Sequence, residues 1–264
     1  MNALSSSPTG LDAYPLSDGA KAFLADGLFG HVIDGEVRNS TSGETMALFD
    51  PATGLEFARC AAGDAQDVDL AARSARRAFD DGRWRGLHAQ EKERCLHRLA
   101  ALLEESRALL MDLDVLDGGL VRAYSEFVVQ FGIDATRYYA GWPTKLQGAT
   151  PAAPPDVIVQ ELREPIGVCG VITPWNGPSA APCGLVPALA CGNSVVLKPA
   201  EQTPLTAIVV ARLCLQAGIP PGVVNVVQGV GEVVGAALVQ HPLVDAISFT
   251  GSGDTGRRDR KSVV

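Results

Sequence analysis

IGVCGVITPWN, residues 166–176, and SVVLKPAE, residues 194–201, each run from an unbroken apolar stretch into Pro, Gly or Lys within a few residues. Two further runs, Val223 to Val227 and Ala246 to Phe249, have the same form, and helix-length segments separate all four. Strand then helix, repeated, predicts a parallel sheet covered on both faces, because strands buried on both sides read as continuous apolar runs. Right-handed crossovers then lay the intervening helices against the sheet. Ligands in such sheets bind beyond the strand C-termini. The residues to weigh are therefore those after each strand: Thr173-Pro174-Trp175-Asn176, Lys198-Pro199-Ala200-Glu201, Gly229-Val230-Gly231 with Gly235, and Thr250-Gly251-Ser252 with Gly256.

Upstream the period changes. Val68, Ala71, Ala72, Ala75 and Phe79 predict an amphipathic helix beginning near Asp64. Leu96, Leu99, Leu102, Leu103, Leu110 and Leu113 predict a second over Glu91 to Asp114, stopped by Asp117-Gly118-Gly119. A third is expected over Ser125 to Tyr139. Pro and Gly cluster from Gly141 to Pro155, and DVIVQELRE then alternates at Val157, Val159 and Leu162, which reads equally as an exposed strand arm or as a linker.

A length of 264 residues leaves room for about two domains. With 47% hydrophobic and 20% charged residues the chain has the composition of a folded globular protein. A net charge of −8 argues against a nucleic-acid partner, whose phosphates call for clustered Lys and Arg. The first residues, MNALSSSPTGLDAYP, have neither a basic nor an apolar leader region, and no later run reaches the ~18 apolar residues of a membrane span. A cytoplasmic protein without membrane contact is expected. The six cysteines are scattered without CxxC pairs or a neighbouring His cluster, so they read as reduced structural thiols and no metal site is expected.

Each strand-end motif has two readings. Lys198 and Glu201 could hydrogen-bond the hydroxyls of a ribose, or be a solvated Lys and a helix-leading Glu. Glu201 would also repel a 2′-phosphate, favouring NAD over NADP. Gly251, Ser252 and Gly256 could open a helix whose free N–H groups receive a pyrophosphate, or simply cap it. Gly229 to Gly235 is one residue too long for the G-x-G-x-x-G fingerprint. Asn176 could aim a neutral amide at a developing oxyanion, or cap the next helix.

Taken together these segments resemble the aldehyde dehydrogenase superfamily. The resemblance runs from Phe49-Asp50-Pro51-Ala52-Thr53-Gly54 to Gly256 and is strongest in REPIGV leading to PWN, PALACGNSVVLKPAEQTPL, AGIPPGVVNVV and FTGS. It implies an incomplete Rossmann-like α/β fold: an N-terminal helical part of the cofactor-binding domain at 1–144, a β-hairpin oligomerisation arm at 145–162 and an NAD-binding core at 163–257. By resemblance, Ile172, Thr173, Pro174 and Trp175 would line the nicotinamide side. Lys198 and Glu201 would bind the adenine ribose, and Gly231 and Gly235 would pack beside the adenosine. Phe249, Thr250 and Gly251 would border the cofactor, Ser252 would meet its pyrophosphate, and Asn176 would donate to the oxyanion. The implied cofactor is NAD, with NADP as the alternative, and the implied partners are an aldehyde and further copies of the same chain.

In that family a cysteine thiolate attacks the aldehyde and a glutamate serves as base, and both follow FTGS. The expectation is thus a chain without its nucleophile, base and catalytic domain, inactive alone. The alternative is a non-catalytic protein that binds NAD or co-assembles with relatives. The sequence departs from the family pattern after Asn176, in GPSAAPCG, and at Gly118-Gly119-Leu120. Residues 258–264 are expected to be a foreign tail, since DRKSVV equals the translation of a widely used sequencing adapter.

Overall fold

The computed structural model describes Leu11 and residues 14–260, with side chains through 257. The expected tail at 258–264 therefore falls mostly outside the described residues. The four strands anticipated from the apolar runs are present: β6 (Val168–Ile172), β7 (Ser194–Lys198), β8 (Val224–Val226) and β9 (Ala246–Phe249). They pair in parallel in the order β8-β7-β6-β9. The chain thus steps outward from β6 through β7 to β8, then returns to place β9 on the other side of β6. That reversal opens a crevice at the strand C-termini.

The 1–144 segment holds more than helices. Five strands precede residue 62: β1 (Leu28–Phe29), β2 (His31–Ile33), β3 (Glu36–Arg38), β4 (Thr45–Phe49) and β5 (Glu56–Ala61). β2 and β3 extend the main sheet antiparallel beyond β8, and β1, β5 and β4 form a second, three-stranded sheet. These strands are two to six residues long, too short to show a period of two in the sequence.

Alternation along the main sheet builds two cores. Val168 and Val196 point to one face with Val68, Ala71 and Ala75 of α2 (Ala65–Asp80) and with Leu238 of α8 (Ala236–Val239). Cys169, Val171, Val195 and Leu197 point to the other. There they meet Leu185 and Leu189 of α6 (Pro182–Ala190) and Ile208 of α7 (Leu205–Gln216), backed by α3 (Ala89–Glu105) and α4 (Arg107–Gly118). α2 opens with a reciprocal capping box between Asp64 and Asp67, and Trp84 behind it is fully buried, its Nε1 donating to the Leu189 carbonyl at 2.9 Å. α1 (Asp18–Leu24) packs on α4, and α5 (Arg122–Ala140) packs on α3 and α6.

Two expectations are corrected. The single helix over Glu91 to Asp114 is broken at Ser106 into α3 and α4, with Ser106 at φ −89°, ψ 6°, and α4 continues to Gly118 before Gly119 ends it at φ 63°. Both helices bury leucines, so the apolar period runs through the break. The 145–162 arm forms no strand: one antiparallel bridge joins Ala149 to Glu161, with N–H to carbonyl distances of 3.2 and 2.8 Å. Pro151, Pro154 and Pro155 lack the donors a ladder needs. No described helix is long and apolar enough to cross a membrane.

Candidate functional site

The strand exits are stitched to one another. The Thr173 amide donates to the Lys198 carbonyl at 3.1 Å, and the Thr250 amide donates to the Ile172 carbonyl at 3.0 Å. The loops after β7, β6 and β9 therefore leave the sheet side by side. Asn193 helps at the far end, where its Oδ1 accepts the Gly167 amide at 3.0 Å.

Around Ile172 the surface divides into two hollows. The larger, about 580 Å³, has Ile172 and Phe249 as apolar walls and Gly231 and Gly235 as part of its floor, with Glu201 and Thr255 at its rim. Gly231 and Gly235 belong to a π turn (Gly231–Gly235) that leads into α8. A Cβ on Gly235 would meet nothing within 4 Å, and one on Gly231 would stand 3.8 Å from Lys198 Nζ and 3.9 Å from Glu201 Oε2. Side chains at either position would project into space the glycines leave free.

Lys198 Nζ donates to Glu201 Oε2 at 2.9 Å, with the Lys side chain 3% exposed and the Glu side chain 32% exposed. A solvated lysine is thereby excluded. Burial pushes the Glu201 carboxyl up, but the hydrogen bond and charge of Lys198 and the amides of Glu201 and Gly231 outweigh it and hold it below its ordinary value. An anionic acceptor is thus fixed at the lip of a glycine-floored hollow.

The smaller hollow, about 300 Å³, joins Thr173, Pro174, Asn176 and Thr250 to Tyr124, Phe127, Val128 and Phe131 of α5 and to Cys183 of α6. Asn176 is exposed, and the 3-10 turn that follows it (Pro178–Ala180) begins at Gly177 with no side-chain cap, so the capping alternative does not hold. Tyr124, Phe127 and Phe131 stack along α5 with centroids 6.1 and 6.3 Å apart. Their i, i+3, i+7 spacing on one exposed helix face was the available signal for this wall. Trp175 turns away into a third hollow of about 570 Å³ that also touches Glu201, Asp117 and residues 46–49.

Ser252 caps α9 (Gly253–Arg260), its Oγ accepting the Thr255 amide at 3.2 Å. Gly251 is exposed beside it, and the Phe249 ring lies where a Cβ on Gly251 would go. Most of the predicted residues thus gather along one edge of the sheet, but in separate hollows that share Ile172 on one side and Glu201 on the other, while Lys198, Gly251 and Ser252 line none of the three. Val230, Glu232, Ala236, Val239 and Gln240 complete the larger hollow and carried no motif.

A parallel sheet with a reversal between β6 and β9, and a glycine-floored hollow at that reversal, defines an α/β protein of the doubly wound class. The model of the aldehyde dehydrogenase family matches residues 37–262, and the chain belongs to that family. It is 45% identical over 233 residues to retinaldehyde dehydrogenase 3 of Mus musculus, covering 87% of this chain and 46% of that protein. It is 46% identical over 230 residues to the mitochondrial aldehyde dehydrogenase family 2 member B4 of Arabidopsis thaliana, covering 86% and 42%. The NAD+ complex of an aldehyde dehydrogenase from Bacillus cereus superposes with a TM-score of 0.91 at 37% identity, over 94% of this chain and 50% of that one. The chain spans about half the length of the curated relatives it matches.

Proposed function

We propose that this chain supplies the cofactor-binding part of an NAD-dependent aldehyde dehydrogenase, with NADP the weaker ligand. The observation that carries the reading is the Lys198–Glu201 pair over the floor of Gly231 and Gly235. The Bacillus cereus relative is solved with NAD+, which supports the same choice. Glu201 would accept the ribose hydroxyls and repel a 2′-phosphate, Ile172 and Phe249 would flank the dinucleotide, and Ser252 with the amides of α9 would face its pyrophosphate. NAD, when bound, supplies the hydride acceptor. Asn176, exposed and uncapped, would donate its amide to the aldehyde oxygen as charge gathers there.

In this reading none of the thiols of this chain is the nucleophile. Burial pushes Cys60 and Cys214 up to about 12 and Cys169 up to about 11, and it raises Cys95, Cys183 and Cys191 as well. Cys183, the one that shares a hollow with Asn176, is therefore a neutral thiol at neutral pH. All six are free.

Calorimetric titration of the purified chain should show NAD bound more tightly than NADP. Glu201→Ala should weaken NAD at least about tenfold, the loss of a charged hydrogen bond being about 1.5–3 kcal/mol. Equal affinity for both cofactors in the parent chain would remove Glu201 from the reading. With an aldehyde and NAD the chain alone should form no NADH, and sustained NADH formation would overturn the assignment of its thiols. Self-association through 145–162 belongs to the same proposal.

A further inference from the structure

Asp114 of α4 is fully buried, and its two oxygens are bound to two different elements. Oδ1 accepts the hydroxyl of Ser179 at 2.8 Å, and Oδ2 shares the hydroxyl of Ser125 with the Met111 carbonyl, each at 3.3 Å. Ser179 sits in the 3-10 turn three residues past Asn176, and Ser125 sits in the first turn of α5, next to Tyr124 of the aromatic wall. Behind Ser179 there is no slack. A methyl on Gly132 of α5 would run into the Ser179 carbonyl oxygen.

Among the described residues no cation pairs with Asp114. Arg122 at the start of α5 pairs with Asp112, Arg107 at the start of α4 pairs with Glu104, and Cys60 on β5 faces Asp117. Asp117, one turn further along α4, is itself fully buried, and burial and the charge of Asp114 push its carboxyl well up, so it supplies no counter-charge either. Burying an unpaired carboxylate costs several kcal/mol, far more than two hydroxyls need for their satisfaction.

We propose that Asp114 is a positioning residue that ties the Asn176 loop to the aromatic wall of α5 and so fixes where the Asn176 amide points. The inference rests on reading Asn176 as the oxyanion donor. An ionised Asp114 accepts the Ser179 hydroxyl outright and draws that of Ser125 away from the Met111 carbonyl. A neutral one carries its own proton on one oxygen, loses an acceptor site there and loosens the tie. Burial lifts its carboxyl to about 7 against the pull of Ser179 and Ser125, which brings the change within reach of a titration.

The test is nuclear magnetic resonance of the full chain, selectively labelled with 15N-asparagine, the Asn176 side-chain signal being assigned by its loss in Asn176→Asp. That signal should move with pH with a midpoint near the Asp114 value of about 7. The movement should vanish in Asp114→Asn and also in Ser179→Ala, which leaves the buried carboxyl in place. A signal that does not titrate in the parent chain, or that titrates alike in Ser179→Ala, overturns the proposal even if Asp114→Asn fails to fold. The outcome is separable from the role of Asn176. NMR reads the tie directly, whereas loss of turnover on Asn176→Ala in a full-length relative that carries the PWN motif reads the oxyanion role.

Discussion

At the residue scale the difference between Lys198–Glu201 and Asp114–Ser179 shows what a sequence can disclose. The first pair is three residues apart at a strand exit, so its meeting follows from local geometry once the strand is recognised. The second is 65 residues apart and joins two helical segments whose packing no periodicity specifies. Asp114 also reads as an ordinary acidic residue near a helix end until its burial is known. Its titration has a consequence for stability with a definite sign. The carboxyl rises from 3.8 to about 7 on folding, so the folded chain binds more protons between those values, and stability falls as pH rises through that window. At about 1.4 kcal/mol per pKa unit the fall is on the order of a few kcal/mol. Asp67 and Asp112 are shifted down by their hydrogen bonds, and their stabilisation is lost only below the ordinary carboxylate range. Urea unfolding at pH 5 and pH 8 should therefore show a larger loss in the parent chain than in Asp114→Asn, with Asp117 contributing to both. Equal losses would mean that Asp114 is ionised throughout.

At the element scale, apolar runs and leucine periods disclosed the four parallel strands and the helices between Asp64 and Tyr139, though not α1, because burial on one or two faces leaves a mark on composition. They did not disclose where a helix breaks without changing face, as at Ser106, nor a strand of two or three residues such as β1, β2 or β3. In the arm the alternation was real, but three prolines on the opposing side leave a single bridge at Ala149 and Glu161. Close contact between elements is equally silent in the sequence. Gly132 lies within α5, where alanine would be favoured by about 1 kcal/mol on helix propensity. Its methyl, however, would meet the backbone carbonyl of Ser179, which cannot swing aside as a side chain would. Gly132→Ala should thus destabilise the chain by about 1–3 kcal/mol, the usual penalty of overpacking. A midpoint of urea unfolding that stays level or rises would show that α5 and the turn can separate at little cost.

For the whole molecule, the sheet reversal concentrates the ligand-facing residues at one edge, while the arm leaves the body elsewhere and carries apolar side chains into water. Ile158 is 83% exposed and Leu162 74%, with Val157 and Val159 about half exposed beside them. A contiguous apolar stretch of this kind is uncommon on a monomer, and in the proposed self-association a second copy would cover it. Prolines that forbid an internal ladder leave backbone groups of the arm available as well, so a second copy could pair with it as well as bury it. Light scattering should accordingly give the parent chain a mass above its 27.6 kDa. Ile158→Asp combined with Leu162→Asp should return it to the monomer, since each charge would have to be buried unpaired in the interface. NAD affinity should be unchanged in the double variant, because neither residue lines the hollow between Ile172 and Gly235. A monomeric parent chain would remove the arm from the assembly. A double variant that self-associates as strongly as the parent would move the interface elsewhere, with the exposed aromatic face of α5 next to be tested.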